Sequence, residues 1–223
     1  MIYNSEGELI QKTTPDNGTT RLLYDKEGRM RFKQDANAAK NNQVLYSIYN
    51  IFGQALEQGY LVSQSWDTNV LNNYLSSSAY SSAGYPSNRV WRKKFTYGTF
   101  GIKLFDYDKL VKCEVNNDQD AASEVEEYYA YDIDGNISGK GTKAADYASA
   151  VYTINYEYNN AGEKTRINYN LADFDPIEIH YDISGRVENI KSGGIVHAQY
   201  SYDKNGLLET ESLKRQFGKK LCV

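Results

Sequence analysis

Apolar and polar residues alternate along much of this chain. Ile154-Asn155-Tyr156-Glu157-Tyr158 and Ile177-Glu178-Ile179-His180-Tyr181 are two such runs. A period of two predicts β-strands with one face half-buried. The runs end at a recurring phrase: Tyr, then Asp or Asn, two free residues, Gly, one free residue, and then usually an apolar residue. Clean copies are Tyr3-Asn4 with Gly7, Tyr24-Asp25 with Gly28, and Tyr49-Asn50 with Gly53. They continue as Tyr131-Asp132 with Gly135, Tyr158-Asn159 with Gly162, Tyr181-Asp182 with Gly185, and Tyr202-Asp203 with Gly206. Successive tyrosines are 21, 25, 82, 27, 23 and 21 residues apart. Tyr97-Gly98-Thr99-Phe100-Gly101 is a worn copy inside the long gap. A phrase repeated at near-constant spacing predicts a repeat architecture.

Each part of the phrase has a local reason. Asp or Asn suits the start of a type I turn, because its side chain accepts from a backbone N–H two residues on. The Gly supplies a positive φ, which lets a type I turn close a hairpin through a one-residue bulge. The apolar residue two after Gly (Leu9, Met30, Ala55, Ile137, Val187 and Leu208) starts the return strand, and Lys164 breaks that rule. A lone hairpin is not stable in water. Stacked hairpins are, since each covers its neighbour's edge. The expected fold is therefore all-β, with stacked antiparallel hairpins in a strongly curved sheet.

Two departures from the strand pattern predict short helices. Asp35 to Lys40 forms a helical turn. Asp67 caps a helix over 68–75 whose shared face is Val70, Leu71, Tyr74 and Leu75. A Ser/Tyr/Gly loop over 76–86 follows, and Asn116 to Asp120 reads as a turn.

The phrase resembles the YD repeats of the RHS family. Arg21-Leu22-Leu23-Tyr24-Asp25-Lys26-Glu27-Gly28-Arg29-Met30 and Tyr129-Ala130-Tyr131-Asp132-Ile133-Asp134-Gly135-Asn136-Ile137 are similar to the repeat stretches of that family, nearest in flavour to the RHS-repeat proteins of Bacteroidetes. Similar repeats run through bacterial Rhs proteins, toxin-complex shell subunits and teneurins. The resemblance implies a spiral β-sheet that winds into a hollow shell, with a parent protein that is exported or displayed at the cell surface. Self-cleaving relatives carry a core ending in an Asp-Pro motif. The Asp175-Pro176 of this chain lies between repeats instead, so neither autoproteolysis nor an enclosed cargo is expected.

Repeats on both sides of the gap argue for a single domain over 1–223, made of repeats (1–58), an irregular insertion (59–96), repeats (97–213) and a basic tail (214–223). With the phrase starting at Tyr3, the chain is expected to be a piece of a larger shell. Its partners would be the remaining repeats of a parent chain, or further copies pairing through open sheet edges. Tyr supplies 21 of the 223 residues and mean hydropathy is −0.67. That suits a thin sheet better than a deep core, because Tyr can bury its ring and keep its hydroxyl wet. The net charge of −4 and the absence of a basic face argue against nucleic acid. No apolar run is long enough to span a membrane.

Little in the composition points to catalysis. His180 and His197 have no metal-like spacing, and Cys113 and Cys222 form no pair motif and are expected as free thiols. Asp132-Ile133-Asp134-Gly135-Asn136 lacks the later bidentate Glu of a calcium loop. Glu124, Glu126 and Glu127 read as solvated carboxylates, and Arg92-Lys93-Lys94 as a solvated strand face. Asn17-Gly18-Thr19 and Asn136-Ile137-Ser138 match a glycosylation sequon. The expectation is a non-catalytic scaffold with no cofactor and no metal. The alternative is a glycan- or protein-binding module that uses Trp66, Tyr74, Tyr85 and Trp91, grouped with Tyr80 around the insertion. The aromatics of such a lip would stack on sugar rings; otherwise they cap the sheet.

Overall fold

A computed structural model describes residues 1–75, 85–98, 108–116, 124–144 and 151–214. It is nearly all-β. Sixteen strands form one sheet in strict sequence order, each hydrogen-bonded to its neighbours in the chain. The strands are β1 (Ile2–Tyr3), β2 (Leu9–Thr14), β3 (Gly18–Tyr24), β4 (Met30–Gln34), β5 (Val44–Tyr49), β6 (Ala55–Leu61), β7 (Arg89–Tyr97) and β8 (Leu110–Val115). They continue as β9 (Val125–Tyr131), β10 (Ile137–Ala144), β11 (Tyr152–Tyr158), β12 (Lys164–Asn168), β13 (Ile177–Tyr181), β14 (Val187–Ser192), β15 (Ile195–Tyr202) and β16 (Leu208–Leu213). Two short helices are added, α1 (Ala36–Lys40) and α2 (Thr68–Leu75). The hairpin order follows from the short connections, since antiparallel neighbours need only a tight turn between them.

The described residues fall into two compact units. The first holds 1–75, 85–98, 108–116, 124–126 and 144; the second holds 127–143 and 151–214.

The first unit has a second layer. The chain leaves the sheet after Leu61, the end of β6, and rejoins it at Arg89, the start of β7, inside the 59–96 expected for the insertion. Residues 89–97 are a regular nine-residue strand, paired with both β6 and β8. The β-branched and aromatic residues Val90, Trp91, Phe95, Thr96 and Tyr97 give that strand its β character. Asp67 starts α2 by accepting from the backbone N–H groups of Asn69 (2.9 Å) and Val70 (3.3 Å). Asp35 does the same for α1 through Ala38 N–H (2.9 Å). The Asp67 cap stands where the sequence placed it, and the turn expected over Asp35 to Lys40 forms α1.

Helix α2 lays Leu71, fully buried, into a cluster with Phe32, Val44, Tyr46, Ile48, Leu61 and Tyr85. Leu56, Trp66, Tyr74 and Leu75 pack against that cluster. Val70, expected on the same face, is instead 37 % exposed. Two turns of helix have room for few inward positions, and Leu71 with Tyr74 and Leu75 fills them. The second unit lacks an equivalent layer: Ala198 is its one buried apolar residue among the described ones. Apart from Ala198 and Gly141 its strand residues are half-buried or exposed, and β16 is exposed throughout.

Leu71→Ala should therefore cost about 2–5 kcal/mol of stability, the range for opening a cavity in a packed core. Val70→Ala on the same helix should stay within about 0.5 kcal/mol. Denaturant titration followed by far-UV circular dichroism checks both.

Candidate functional site: the repeat junction and the anchored insertion

All seven phrases close hairpins in one geometry. In each, the Asp or Asn side-chain oxygen accepts from the backbone N–H four residues on. In all but the first copy it also accepts from the N–H two residues on. The Asp182 carboxylate, for instance, takes Ser184 N–H at 2.8 Å and Arg186 N–H at 3.0 Å. The Asn50 carbonyl takes Phe52 N–H at 2.9 Å and Gln54 N–H at 3.0 Å. The Gly then donates back to the carbonyl of the Asp or Asn, as from Gly185 to Asp182 at 3.0 Å. All seven phrase glycines have φ between +73° and +90°. Other residues are strained there, which is why Gly holds the position.

The residue after Gly, read from sequence as free, is not free. Where the turn begins with Asn, this residue accepts from the Asn amide: Glu8 from Asn4 (2.7 Å), Gln54 from Asn50 (2.6 Å) and Glu163 from Asn159 (2.7 Å). Where the turn begins with Asp, it donates to the carboxylate: Arg29 to Asp25 (2.9 Å), Asn136 to Asp132 (3.1 Å) and Arg186 to Asp182 (2.7 Å). The last copy has Leu207 here, and Asn205 donates to Asp203 instead, at 3.4 Å. The matched choice of Asn with Glu or Gln, and of Asp with Arg or Asn, is visible in the seven copies and was the signal to read.

Hairpins are joined by the phrase tyrosine. Each Tyr hydroxyl donates to the carbonyl two residues past the Gly of the preceding copy: Tyr24 to Leu9 (3.2 Å), Tyr49 to Met30 (2.9 Å), Tyr158 to Ile137 (2.9 Å), Tyr181 to Lys164 (2.8 Å) and Tyr202 to Val187 (2.9 Å). These are all five junctions between adjacent clean copies. The Tyr ring also lies beside the residue after Gly in the preceding copy. Arg29 stands 5.6 Å from the Tyr49 ring centre and Arg186 4.5 Å from that of Tyr202. Burial, and then the neighbouring Glu163, raises the Tyr181 phenol above its ordinary range; burial and then Glu8 do the same to Tyr24. Lys164, the exception to the apolar rule, places its ammonium 4.0 Å from the Tyr156 ring centre. Its stem packs while its charge meets a ring face.

The insertion is anchored at one buried point. Arg31 is fully buried on β4. Its guanidinium donates to the Tyr85 hydroxyl through Nε (2.6 Å) and Nη2, and Nη1 reaches Asp25 at 3.4 Å. Tyr85 in turn donates to the Ser47 carbonyl at 2.8 Å. Burial pushes the Tyr85 phenol up to about 12, against the opposing pull of Arg31. Asp25 shows the reverse balance: burial raises its carboxyl, but the bonds from Arg29 and Arg31 outweigh that and hold it below the ordinary carboxylate range.

Of the aromatics considered for ligand contact, Tyr85 is thus buried and hydrogen-bonded. Its ring stands 5.8 Å from Phe32 and 5.7 Å from Tyr46. Tyr74 is 6.3 Å from Phe32, and Trp66 packs against the same cluster. Trp91 lies on β7 with the Lys94 ammonium 4.2 Å from its ring centre. Tyr80 lies outside the described residues. So do Cys222, residues 215–223 of the tail, 117–120 of the expected turn, and 99–101 of the worn copy.

The remaining candidates are held by neighbours. Lys112 bridges Glu114 and Glu126, each at 3.2 Å, and Lys140 pairs with Glu127 at 2.7 Å. Arg92 donates to the Asn116 carbonyl at 3.3 Å. Asp132 spends its carboxylate on its own turn, with Asp134 N–H and Asn136 N–H. Cys113 is buried, and His180 is exposed. Among the described residues no group of three or more His, Cys, Asp or Glu could hold a metal, and no helix is long and apolar enough to cross a membrane.

This fold has solved counterparts. A crystal structure of TcdB2-TccC3 matches with a TM-score of 0.64 at 13% identity, covering 93% of this chain. A crystal structure of TcdB2-TccC3 without its hypervariable C-terminal region matches at 0.67 and 12% identity, again over 93%. The chain spans about 10% of the length of either. The likeness is one of fold. No family model matches the chain, and no curated protein matches it in sequence.

Two predictions test the junction. Asp182→Asn leaves two donors facing each other beside Arg186 and should lower the melting temperature. Adding Arg186→Glu copies the Asn159–Glu163 turn and should recover most of the loss; a thermal scan of the three proteins reads the coupling. The second concerns acid. The carboxyls of Asp25, Asp132, Asp182 and Asp203 are all held below their ordinary value, so each contributes stability that is full above the unfolded pKa, about 3.9, and is lost as pH falls through the folded one. Urea midpoints should be flat from neutrality to about pH 5 and fall below about pH 4. A midpoint that climbs on acidification would contradict this.

Proposed function

We propose that this chain is a non-catalytic structural segment of an RHS-type shell or surface scaffold, and that the sheet continues into further repeats. The observation that carries this reading is the junction. The same tyrosine hydroxyl bond joins every adjacent pair of clean copies. The resemblance of the phrase to YD repeats and the fold likeness to TcdB2-TccC3, a toxin-complex structure, support the same reading from outside the chain.

A scaffold segment should be stabilised or joined by repeat neighbours. Strand β16 is exposed along its length, and Met1, Ile2 and Tyr3 at the other end of the sheet are 74 %, 50 % and 56 % exposed. Unsatisfied strand edges recruit other strands. Light scattering on a size-exclusion column, run over a range of concentrations, should show β-rich species that grow with concentration. A monodisperse monomer throughout would count against a segment cut to pair with further repeats. A turnover that tracked one carboxylate or His180 would overturn the scaffold reading altogether.

A further inference from the structure

Strand β16 has no further neighbour among the described residues, and all six of its residues are exposed. The earlier junctions show how a strand added there would align. In each of the five junctions between adjacent clean copies, the residue five past the Gly stands opposite the residue four before the next phrase tyrosine. Lys12 faces Thr20, Lys33 faces Leu45, Lys140 faces Ile154, Ile167 faces Ile177 and Ile190 faces Ala198. One register serves all five because the tyrosine hydroxyl always takes the carbonyl two past the Gly. A strand joining β16 in that register puts its tyrosine hydroxyl on the Leu208 carbonyl and its residue four before the tyrosine opposite Glu211.

Glu211 departs from the earlier copies. The residue five past the Gly is Lys12, Lys33, Gln58, Lys140, Ile167 or Ile190 in them, and never an acid. Between those copies this step of the ladder asks nothing of charge, since the residue opposite is neutral. On β16 it does. From the β15 side Glu211 faces Tyr200, which brings no cation. Glu209 lies on the same face as Glu211, two residues back, so the strand carries a pair of carboxylates along one face of its open edge.

The turn of the same copy departs too. Leu207 stands where the other six copies have Glu8, Arg29, Gln54, Asn136, Glu163 and Arg186. It is 67 % exposed, with Leu208 beside it at 54 %. In the earlier junctions the next tyrosine ring lies beside this residue, so here the seat for that ring is apolar.

We infer that β16 is a docking edge for a basic strand: an extended segment with a tyrosine to sit on Leu207, and Lys or Arg two and four residues before it, opposite Glu209 and Glu211. Main-chain bonds along a sheet edge attach such a segment, and its alternate side chains decide which segment fits. The chain already answers an acid on a return strand in this way. Glu57 on β6 pairs with Arg89 of β7 at 2.8 Å and stands opposite Lys94. Like charges directly opposite destabilise a ladder, so an acidic strand is refused. Edge charges also discourage neutral strands, and a cation in the right register removes that penalty. The inference rests on the reading that the sheet continues, and adds which kind of strand continues it.

Fluorescence polarisation of labelled peptides titrated with the intact chain tests this. The basic probe reads Thr-Lys-Thr-Lys-Thr-Tyr-Asp-Gly. A second probe has Glu in place of both Lys. A third, Thr-Lys-Lys-Thr-Thr-Tyr-Asp-Gly, keeps the charge but turns one Lys to the other face. The basic probe should bind saturably, the acidic one about tenfold more weakly, and the third in between. Glu209→Lys combined with Glu211→Lys should reverse the order of the first two. Both residues are exposed, so the fold survives, and a circular dichroism spectrum confirms it. Equal binding of the basic and acidic probes overturns the proposal and leaves the continuing sheet standing. A third probe as good as the first, or an order that the double variant does not reverse, also overturns it. Binding of neither probe overturns it as well, and a chain that is in addition monomeric on the sizing column at every concentration counts against the scaffold reading with it.

Discussion

A tyrosine hydroxyl bonded to the carbonyl of the hairpin before it is the interaction on which the rest of this structure depends. Strand pairing alone leaves register open, because a sheet ladder can slip by two residues and keep its facing. The hydroxyl bond removes that freedom. It is made to one carbonyl, two residues past the Gly, and so ties the end of one hairpin to the start of the return strand of the last. A neutral hydrogen bond of this kind is worth about 1 kcal/mol. Its importance lies in repetition and placement more than in strength, since a repeat array is held by its nearest-neighbour terms.

The turn supplies the other half of the constraint. A bulged hairpin needs its Gly in the left-handed region and its Asx oxygen under two backbone N–H groups. Once these are set, the residue after Gly is brought onto the remaining side-chain atom of the Asx residue. Its chemistry must then complement whichever atom that is. An amide asks for an acceptor, as Asn159 does of Glu163, and a carboxylate asks for a donor, as Asp25 does of Arg29.

Much of the fold was legible before any coordinates. The phrase with its Gly and the alternation of Ile177-Glu178-Ile179 placed the hairpins, and Asp35 and Asp67 marked both helices. What could not be read was the second layer over the first unit. The pairing of buried Arg31 with Tyr85 joins residues 54 apart, and nothing local in either neighbourhood announces it. Tyr85 and Trp66 look, as a string, like an exposed aromatic lip. They pack inward because the apolar face of β4, β5 and β6 needs cover and α2 alone is too short to give it.

The match between Asx residue and partner is settled within each turn, while the tyrosine ring of the next copy accepts either sign beside it. Tyr181 tolerates Glu163 and Tyr202 tolerates Arg186. Neighbouring copies therefore impose no charge requirement on one another. A hairpin can be duplicated, lost or exchanged as a unit without correcting its neighbours, whereas a crossover falling between the Asx residue and the residue after Gly would join unlike halves. Such an array can change its length in whole copies over evolutionary time.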